Sequence, residues 1–194
     1  MSERFVEVGS VKIRVLEGGS GRPVVLLHGW SFNADDWVAS GIFQAVSREF
    51  HVYAVDMPYG IKSKSDKFRA ARPEYARFLR RVLDVLGLAD PPLVGPSASG
   101  EVVLWYVAQG LPTRGVVVVG PVGLVPELVD AVAKTKVPIL AVWGERDTVS
   151  PPSNADLLVG NVEKVVIKDA GHAAYLDKPE EFTRVVLEFL RRVA

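Results

Sequence analysis

The chain of 194 residues contains no cysteine, only two methionines and no excess of charge of either sign. Without cysteine it can have neither a disulfide framework nor a thiol nucleophile. Lysine plus arginine and aspartate plus glutamate number 23 each, so the formal net charge is zero. Proteins that bind nucleic acid usually carry a basic excess, and we therefore expect no nucleic-acid partner. Asparagine and glutamine are also scarce, and a shortage of Asn, Gln, Cys and Met is a trait of thermophile proteins.

Long apolar runs are missing as well, because Gly, Pro or charged residues interrupt every run before it could span a bilayer. The first residues, from Met1 to Phe5, lack the apolar core of a signal peptide. We therefore expect a cytoplasmic protein with no membrane partner. The length fits one domain over residues 1–194, without repeats or a linker, and no feature indicates an oligomeric state.

Short apolar runs alternate with helical patterns along most of the chain. Residues 4–8 and 11–16 alternate apolar and polar side chains around Gly9-Ser10, which predicts a hairpin at a sheet edge. Buried parallel strands are predicted at residues 23–27, 52–55, 93–94, 115–119, 138–143 and 165–167. Helices are predicted at 35–48, 73–86, 101–108 and 127–134, and a final helix begins near Asp177 with Glu180 completing a capping box. This order predicts a mostly parallel eight-stranded sheet with helices on both faces.

The stretch Gly95-Pro96-Ser97-Ala98-Ser99-Gly100 links a predicted strand to a predicted helix. A serine on such a sharp turn, with small residues two before and two after it, is typical of a nucleophile elbow. Ser97 fits this spacing, because Gly95 and Ser99 are both small. Ser99 fits less well, because the large Glu101 lies two residues after it. Serine and glycine clusters are also common loop residues, so the motif alone is a weak signal.

Two further polar side chains follow later strands. Asp147 follows the seventh predicted strand and His172 the eighth, and ligands of such sheets bind at the carboxyl ends of strands. Among the three histidines we favour His172 as the base, since His28 ends a strand beside a glycine, where it can brace a loop. The acid could also be Glu145 or Asp169. Asp147 is favoured because it lies further from its strand than Glu145 and less close to His172 in sequence than Asp169.

Five landmarks in register resemble the α/β-hydrolase superfamily between about Val24 and Leu190. They are His28-Gly29, Asp56-Met57-Pro58, Gly95-x-Ser97-x-Ser99, Gly144-x-x-Asp147 and Gly171-His172. The elbow and the run from Gly171 to Glu181 resemble the small lidless group called abhydrolase domain-containing fourteen. The resemblance implies an α/β-hydrolase fold and a serine hydrolase that acts on small esters. The stretch Tyr59-Gly60-Ile61-Lys62-Ser63 departs from the usual Gly-x-Gly-x-Ser, and Ser99 stands where the elbow usually has glycine.

Serine chemistry assigns a role to each residue. Ser97 would attack an acyl carbonyl, His172 would accept its proton, and Asp147 would orient the imidazole. The backbone N–H groups of Ala98 and Trp30 would bind the oxyanion. No cofactor is required, and three histidines without cysteine leave no convincing metal site.

The predicted sixth and seventh strands are separated only by residues 120–137, too few for a lid domain. We therefore expect an open, shallow pocket edged by Phe32 and Tyr59, and a small-molecule ester with a short acyl chain as substrate. Thioester cleavage and acyl transfer on the same residues are alternatives. A further alternative is an inactive interaction module, because a fold can outlast its activity.

Overall fold

A computed structural model describes residues 1–194 and shows an eight-stranded sheet in the order β1-β2-β4-β3-β5-β6-β7-β8. The strands are β1 (Ser2–Val8), β2 (Val11–Gly18), β3 (Pro23–Leu26), β4 (His51–Val55), β5 (Leu93–Pro96), β6 (Val116–Val119), β7 (Ile139–Gly144) and β8 (Val162–Ile167). Strand β2 is antiparallel to both β1 and β4, and the neighbouring pairs from β4 to β8 are parallel. The predicted fold, a mostly parallel sheet that begins with an edge hairpin, is therefore confirmed.

Helices cover both faces of this sheet. They are α1 (Asp35–Ala39), α2 (Ile42–Val46), α3 (Arg72–Val85), α4 (Ala98–Ala108), α5 (Pro126–Ala133), α6 (Ala174–Asp177) and α7 (Pro179–Val193), with a 3₁₀ turn at Pro152–Leu157. None of the helices is both long and apolar enough to cross a membrane.

Two apolar cores result, because successive side chains of a buried strand point to opposite faces. In β3, Val25 belongs to the core that includes side chains of α3, α4 and α5, whereas Val24 and Leu26 belong to the core that includes side chains of α1, α2 and α7. All four valines of β6 are fully buried, as expected of a central parallel strand. The sheet is therefore packed on both faces, and its strand ends position the loops that follow them.

Two predicted helices differ from the structure. The single helix expected over residues 35–48 is broken at Ser40-Gly41, where Gly41 has a φ of 80° that a helix interior does not adopt. The final helix begins at Pro179, and Asp177 ends the short helix α6 instead of capping α7. The Asp177 carboxylate accepts a hydrogen bond from the Gly171 N–H at 2.7 Å, so its partner is the loop that carries His172.

The connection between β6 and β7 contains α5 and short loops, and no lid covers the carboxyl ends of the strands.

Strand β8 is longer than predicted because it begins at Val162. Its extra residues include Glu163 and Lys164, and charged side chains protect an exposed edge strand from pairing with other chains.

Candidate active site

Ser97 lies between β5 and α4 in a backbone conformation that side chains rarely adopt, with φ 51° and ψ −115°. The turn is tight, because a β-carbon on Gly95 would lie 2.6 Å from the carbonyl oxygen of Ser99. Only glycine fits at position 95, and the strained serine projects its hydroxyl beyond the end of the strand. This is the geometry of a nucleophile elbow.

The sheet brings three of the predicted residues together. Nε2 of His172 lies 2.8 Å from Oγ of Ser97, and its Nδ1 lies 2.8 Å from Oδ2 of Asp147. The Asp147 side chain is fully buried, whereas 23% of the His172 side chain remains exposed. The histidine therefore links a buried carboxylate to a hydroxyl at the surface of a cavity.

Asp147 is oriented by its own loop. Its Oδ1 accepts hydrogen bonds from the N–H groups of Val149 at 2.9 Å and Ser150 at 2.8 Å. These bonds leave Oδ2 to accept the Nδ1–H of His172. The other ring nitrogen, Nε2, then carries a free electron pair and accepts the Ser97 hydroxyl proton. An arrangement of this kind can activate a serine for attack on an acyl carbonyl.

The two alternative acids, Glu145 and Asp169, do not reach His172. The Glu145 carboxylate accepts the Asp169 N–H at 3.0 Å, and Asp169 forms an ion pair with Arg146. These contacts join the loop after β7 to the loop after β8. Gly144 permits the close approach, because a β-carbon there would lie 2.0 Å from the carbonyl oxygen of Gly171.

Gly120 was missed from the sequence although it adjoins the buried acid. It follows β6 with a φ of 49°, and a β-carbon there would lie 2.7 Å from Oδ2 of Asp147 and 3.2 Å from Nδ1 of His172. A glycine directly after four valines was a possible signal, because it sits at the strand end next to the one that bears Asp147.

His28 is fully buried and serves as a brace. The Met57 N–H donates to its Nε2 at 2.8 Å, so the ring proton is on Nδ1, which donates to the Gly29 carbonyl at 2.9 Å. Burial lowers the pKa of His28 and keeps the ring neutral. His51 lies at the start of β4, where its Nε2 is 2.8 Å from Oε1 of Glu17.

Two backbone N–H groups are available near Ser97. Ala98 is the first residue of α4, and the first N–H groups of a helix have no intrahelical acceptor. The Trp30 N–H donates to no acceptor in the chain, whereas the carbonyl of the same peptide, that of Gly29, accepts from His28 and from the Phe32 N–H at 3.1 Å. Both N–H groups could therefore donate to an oxygen atom bound beside Ser97.

A cavity of about 260 Å³ opens beside the serine. Its lining comprises Gly29, Trp30, Ser31, Phe32, Pro96, Ser97, Val149, His172, Ala173 and Tyr175. Trp30 and Val149 are largely exposed at 45% and 63%, so the cavity is open to solvent at its edge. No group of three or more His, Asp or Glu side chains is arranged to hold a metal ion.

Phe32 lines this cavity, whereas Tyr59, the other residue expected at the edge of the pocket, does not. The Tyr59 ring is only 5% exposed and packs edge-on against Tyr75 with ring centres 4.9 Å apart. Its hydroxyl hydrogen-bonds to Ser99, and burial raises the pKa of the phenol. The ring lines a neighbouring cleft of about 420 Å³ that shares only Trp30 with the cavity beside Ser97.

Comparison with known proteins supports the fold assignment. Residues 22–135 match the family model described as alpha/beta hydrolase fold. The human protein named "Putative protein-lysine deacylase ABHD14B" is 34% identical over 181 residues, which cover 89% of this chain and 86% of that protein. Protein ABHD14A of Mus musculus is 35% identical over 174 residues, covering 86% of this chain and 69% of that protein.

Solved structures agree with this assignment. The crystal structure described as that of a "predicted CIB-like hydrolase from Thermoplasma acidophilum" superimposes with a TM-score of 0.89 at 28% identity, and the match covers 98% of each chain. Carboxylesterase CesB of Bacillus subtilis has the same fold, with a TM-score of 0.84 at 22% identity over 97% of this chain and 91% of that one. The chain therefore belongs to the α/β-hydrolase family, and its relatives over most of its length include ABHD14B and ABHD14A.

Proposed function

We propose that the protein is a serine hydrolase that removes short acyl groups through Ser97, His172 and Asp147. The observation that carries the proposal is the continuous hydrogen-bonded series of these residues, with both contacts of His172 at 2.8 Å, on a strained elbow at the edge of an open cavity. Family membership supports hydrolysis as the class of reaction.

In the proposed reaction, the Ser97 oxygen attacks the acyl carbonyl while Nε2 of His172 takes the serine proton. The carbonyl oxygen gains negative charge, which the N–H groups of Ala98 and Trp30 stabilise. The tetrahedral adduct collapses when His172 protonates the leaving group, and Ser97 keeps the acyl group. Water, deprotonated by His172, then releases the acid and restores the serine. Asp147 holds the Nδ1–H tautomer and stabilises the imidazolium that forms in each step.

The cavity supports a short acyl group. Pockets that bind drug-sized ligands measure about 300–1,000 Å³, and the cavity beside Ser97 is smaller, at about 260 Å³. Phe32, Val149 and Tyr175 supply an apolar lining for a few carbon atoms.

A second candidate is the removal of an acyl group from a lysine side chain, an amide in place of an ester. The relationship to ABHD14B, which is 34% identical and named for lysine deacylation, favours it. The lack of a lid also favours it, because a side chain on another protein's surface could reach an uncovered cavity. Ester and amide cleavage would use the same serine, so the two candidates differ only in leaving group.

Labelling by a fluorophosphonate probe tests the nucleophile. We expect the probe to modify Ser97 and Ser97→Ala to lose both labelling and hydrolysis of nitrophenyl acetate while it stays folded. Ser31→Ala is the matched control, because Ser31 lines the same cavity but forms no hydrogen bond with a histidine, and this variant should label normally. A label found on any other serine would contradict the proposal. Comparing an acetyl ester with an acetyl-lysine peptide decides between the two leaving groups.

A further inference from the structure

Ser99 occupies the position at which the elbow pattern usually has glycine, and its side chain forms hydrogen bonds that a glycine could not form. The residue is completely buried. Its hydroxyl oxygen lies in hydrogen-bonding contact with two groups, the backbone carbonyl of His28 and the phenol of Tyr59.

The direction of both bonds follows from the groups involved. A carbonyl can only accept, so the single hydroxyl proton of Ser99 goes to the oxygen of His28. Tyr59 must therefore donate its own proton to Oγ of Ser99. The result is a buried chain of donors from Tyr59 through Ser99 to the backbone of His28.

This chain ends two residues before the Trp30 N–H. Ser99 fixes the carbonyl of His28, and the Met57 N–H fixes the ring of the same residue at 2.8 Å. The ring in turn donates to the carbonyl of Gly29 at 2.9 Å. Since a trans peptide points its N–H opposite to its carbonyl, holding the Gly29 oxygen also sets the direction of the Trp30 N–H.

The peptide held in this way lies beside the nucleophile. A β-carbon on Gly29 would be 3.8 Å from the β-carbon of Ser97, and Gly29 and Trp30 both line the cavity. Oxyanion donors act because they are already aimed before charge develops, so a small error in their direction lowers the rate.

We propose that Ser99, supported by Tyr59, is a positioning residue that aims the Trp30 N–H at the oxyanion. The inference rests on the proposed hydrolase function and adds a task for two residues that do not touch the substrate. It also accounts for the departure from glycine, because a glycine at position 99 would leave the His28 carbonyl and the Tyr59 hydroxyl without a buried partner.

Kinetics of three single variants and one double variant test this positioning role. Removing an oxyanion donor altogether lowers kcat by about 10²–10³-fold, and Ser99→Ala or Ser99→Gly only loosens one. We therefore expect about a tenfold fall in kcat with KM changed less than about twofold, and a similar fall for Tyr59→Phe. The inhibition constant of a trifluoromethyl ketone, which forms an oxyanion on the serine, should rise by the same factor. Since Tyr59 acts through Ser99, the double variant with Ser99→Ala and Tyr59→Phe should have a kcat no lower than that of Ser99→Ala alone.

Tyr106→Phe is the matched control, because Tyr106 is also a buried tyrosine and its hydroxyl accepts from Arg80 and donates to the Pro112 carbonyl. It should lose stability but keep kcat and the inhibition constant. A full-rate Ser99→Gly enzyme, or a change confined to KM, would overturn the inference.

The Trp30 amide resonance gives a second readout that does not depend on turnover. In Ser99→Ala, the ¹H–¹⁵N signal of Trp30 should shift or broaden, whereas in Tyr106→Phe it should stay in place. If the native protein neither labels nor hydrolyses esters, the hydrolase proposal fails, and this signal still decides the positioning. An unchanged Trp30 signal in Ser99→Ala overturns the inference.

Discussion

Gly120 and Asp147 are so close that no side chain could stand at position 120. A β-carbon there would lie 2.7 Å from Oδ2 of Asp147, the oxygen that contacts His172. The residue that follows strand β6 therefore lies against the buried carboxylate of Asp147. Because Gly120 has no side chain, there is room for the hydrogen-bonded pair of Asp147 and His172.

Gly120→Ala should consequently lower activity much more than its backbone strain alone would predict. The new methyl group would displace the carboxylate or the imidazole, and a displacement of about 1 Å can cost about 100-fold in rate. We expect a fall in kcat of at least about that size, measured on nitrophenyl acetate with folding checked by circular dichroism.

The control variant Gly87→Ala distinguishes the effect of backbone strain from the effect of displacing Asp147 or His172. Gly87 has a φ of 73°, but a β-carbon there would meet nothing within 4 Å. It should lose about 1 kcal/mol of stability, as expected for alanine at positive φ, and keep its kcat. Equal kinetic losses in both variants would show that backbone strain, not contact with Asp147, limits position 120.

Neutralising the two carboxylates that follow β7, those of Asp147 and Glu145, should lower kcat to very different extents. Asp147→Asn would favour the wrong tautomer of His172, and such a change has cost about 10⁴-fold in kcat in a serine protease. Glu145→Gln removes a charge but keeps an amide oxygen that can accept the Asp169 N–H in an exposed contact, and it should change kcat less than about tenfold. Similar losses from both substitutions would mean that the histidine loop, and not the acid, controls the rate.

Stability should fall as the pH falls below about 6.5, because His28 is buried in its neutral form. Burial lowers its folded-state pKa, whereas histidine in the unfolded chain titrates near 6.5. Between these two values the unfolded chain binds more protons, so this contribution is complete above about pH 6.5 and is lost towards the folded-state pKa. The slope can reach about 1.4 kcal/mol per pH unit for one proton.

Urea unfolding between about pH 7 and about pH 5 measures this slope. His28→Asn should be less stable at pH 7 and show a smaller slope, whereas His51→Gln, which changes a partly exposed histidine, should keep most of it. A native protein whose unfolding free energy does not change over this range would contradict the expected burial effect.

The sequence predicts those parts of the site that depend on residues close together in the chain, and not those that depend on contacts between distant segments. The strand runs, the spacing around Ser97 and the chain order of Ser97, Asp147 and His172 are local patterns, and the three side chains do lie within hydrogen-bond distance. The task of Gly120 depends on a contact between loops that are distant in sequence. The same is true of Tyr59, whose hydroxyl points inward to Ser99, 40 residues later, instead of outward to the pocket. A pattern of residue types carries no information on such contacts.

Acyl-chain preference should follow the size of the cavity. Each methylene that enters an apolar cavity contributes about 0.8 kcal/mol, or about fourfold in kcat/KM, and each one left in water contributes nothing. With about 260 Å³ beside Ser97, kcat/KM should rise from acetate to butyrate esters and level off or fall by octanoate and palmitate. No lid covers the cavity, so lipid droplets should not raise the rate.

The variant that tests this limit is Phe32→Ala, because Phe32 forms part of the cavity wall. It should shift the optimum to a longer chain and lower the rate on acetate. Phe68→Ala is its control, since Phe68 lines the neighbouring cleft and not the cavity beside Ser97, and its loss should leave the chain-length profile unchanged. If Phe68→Ala alone shifted the profile, the acyl chain would lie in the neighbouring cleft, and Tyr59, which lines that cleft, would contact the substrate after all.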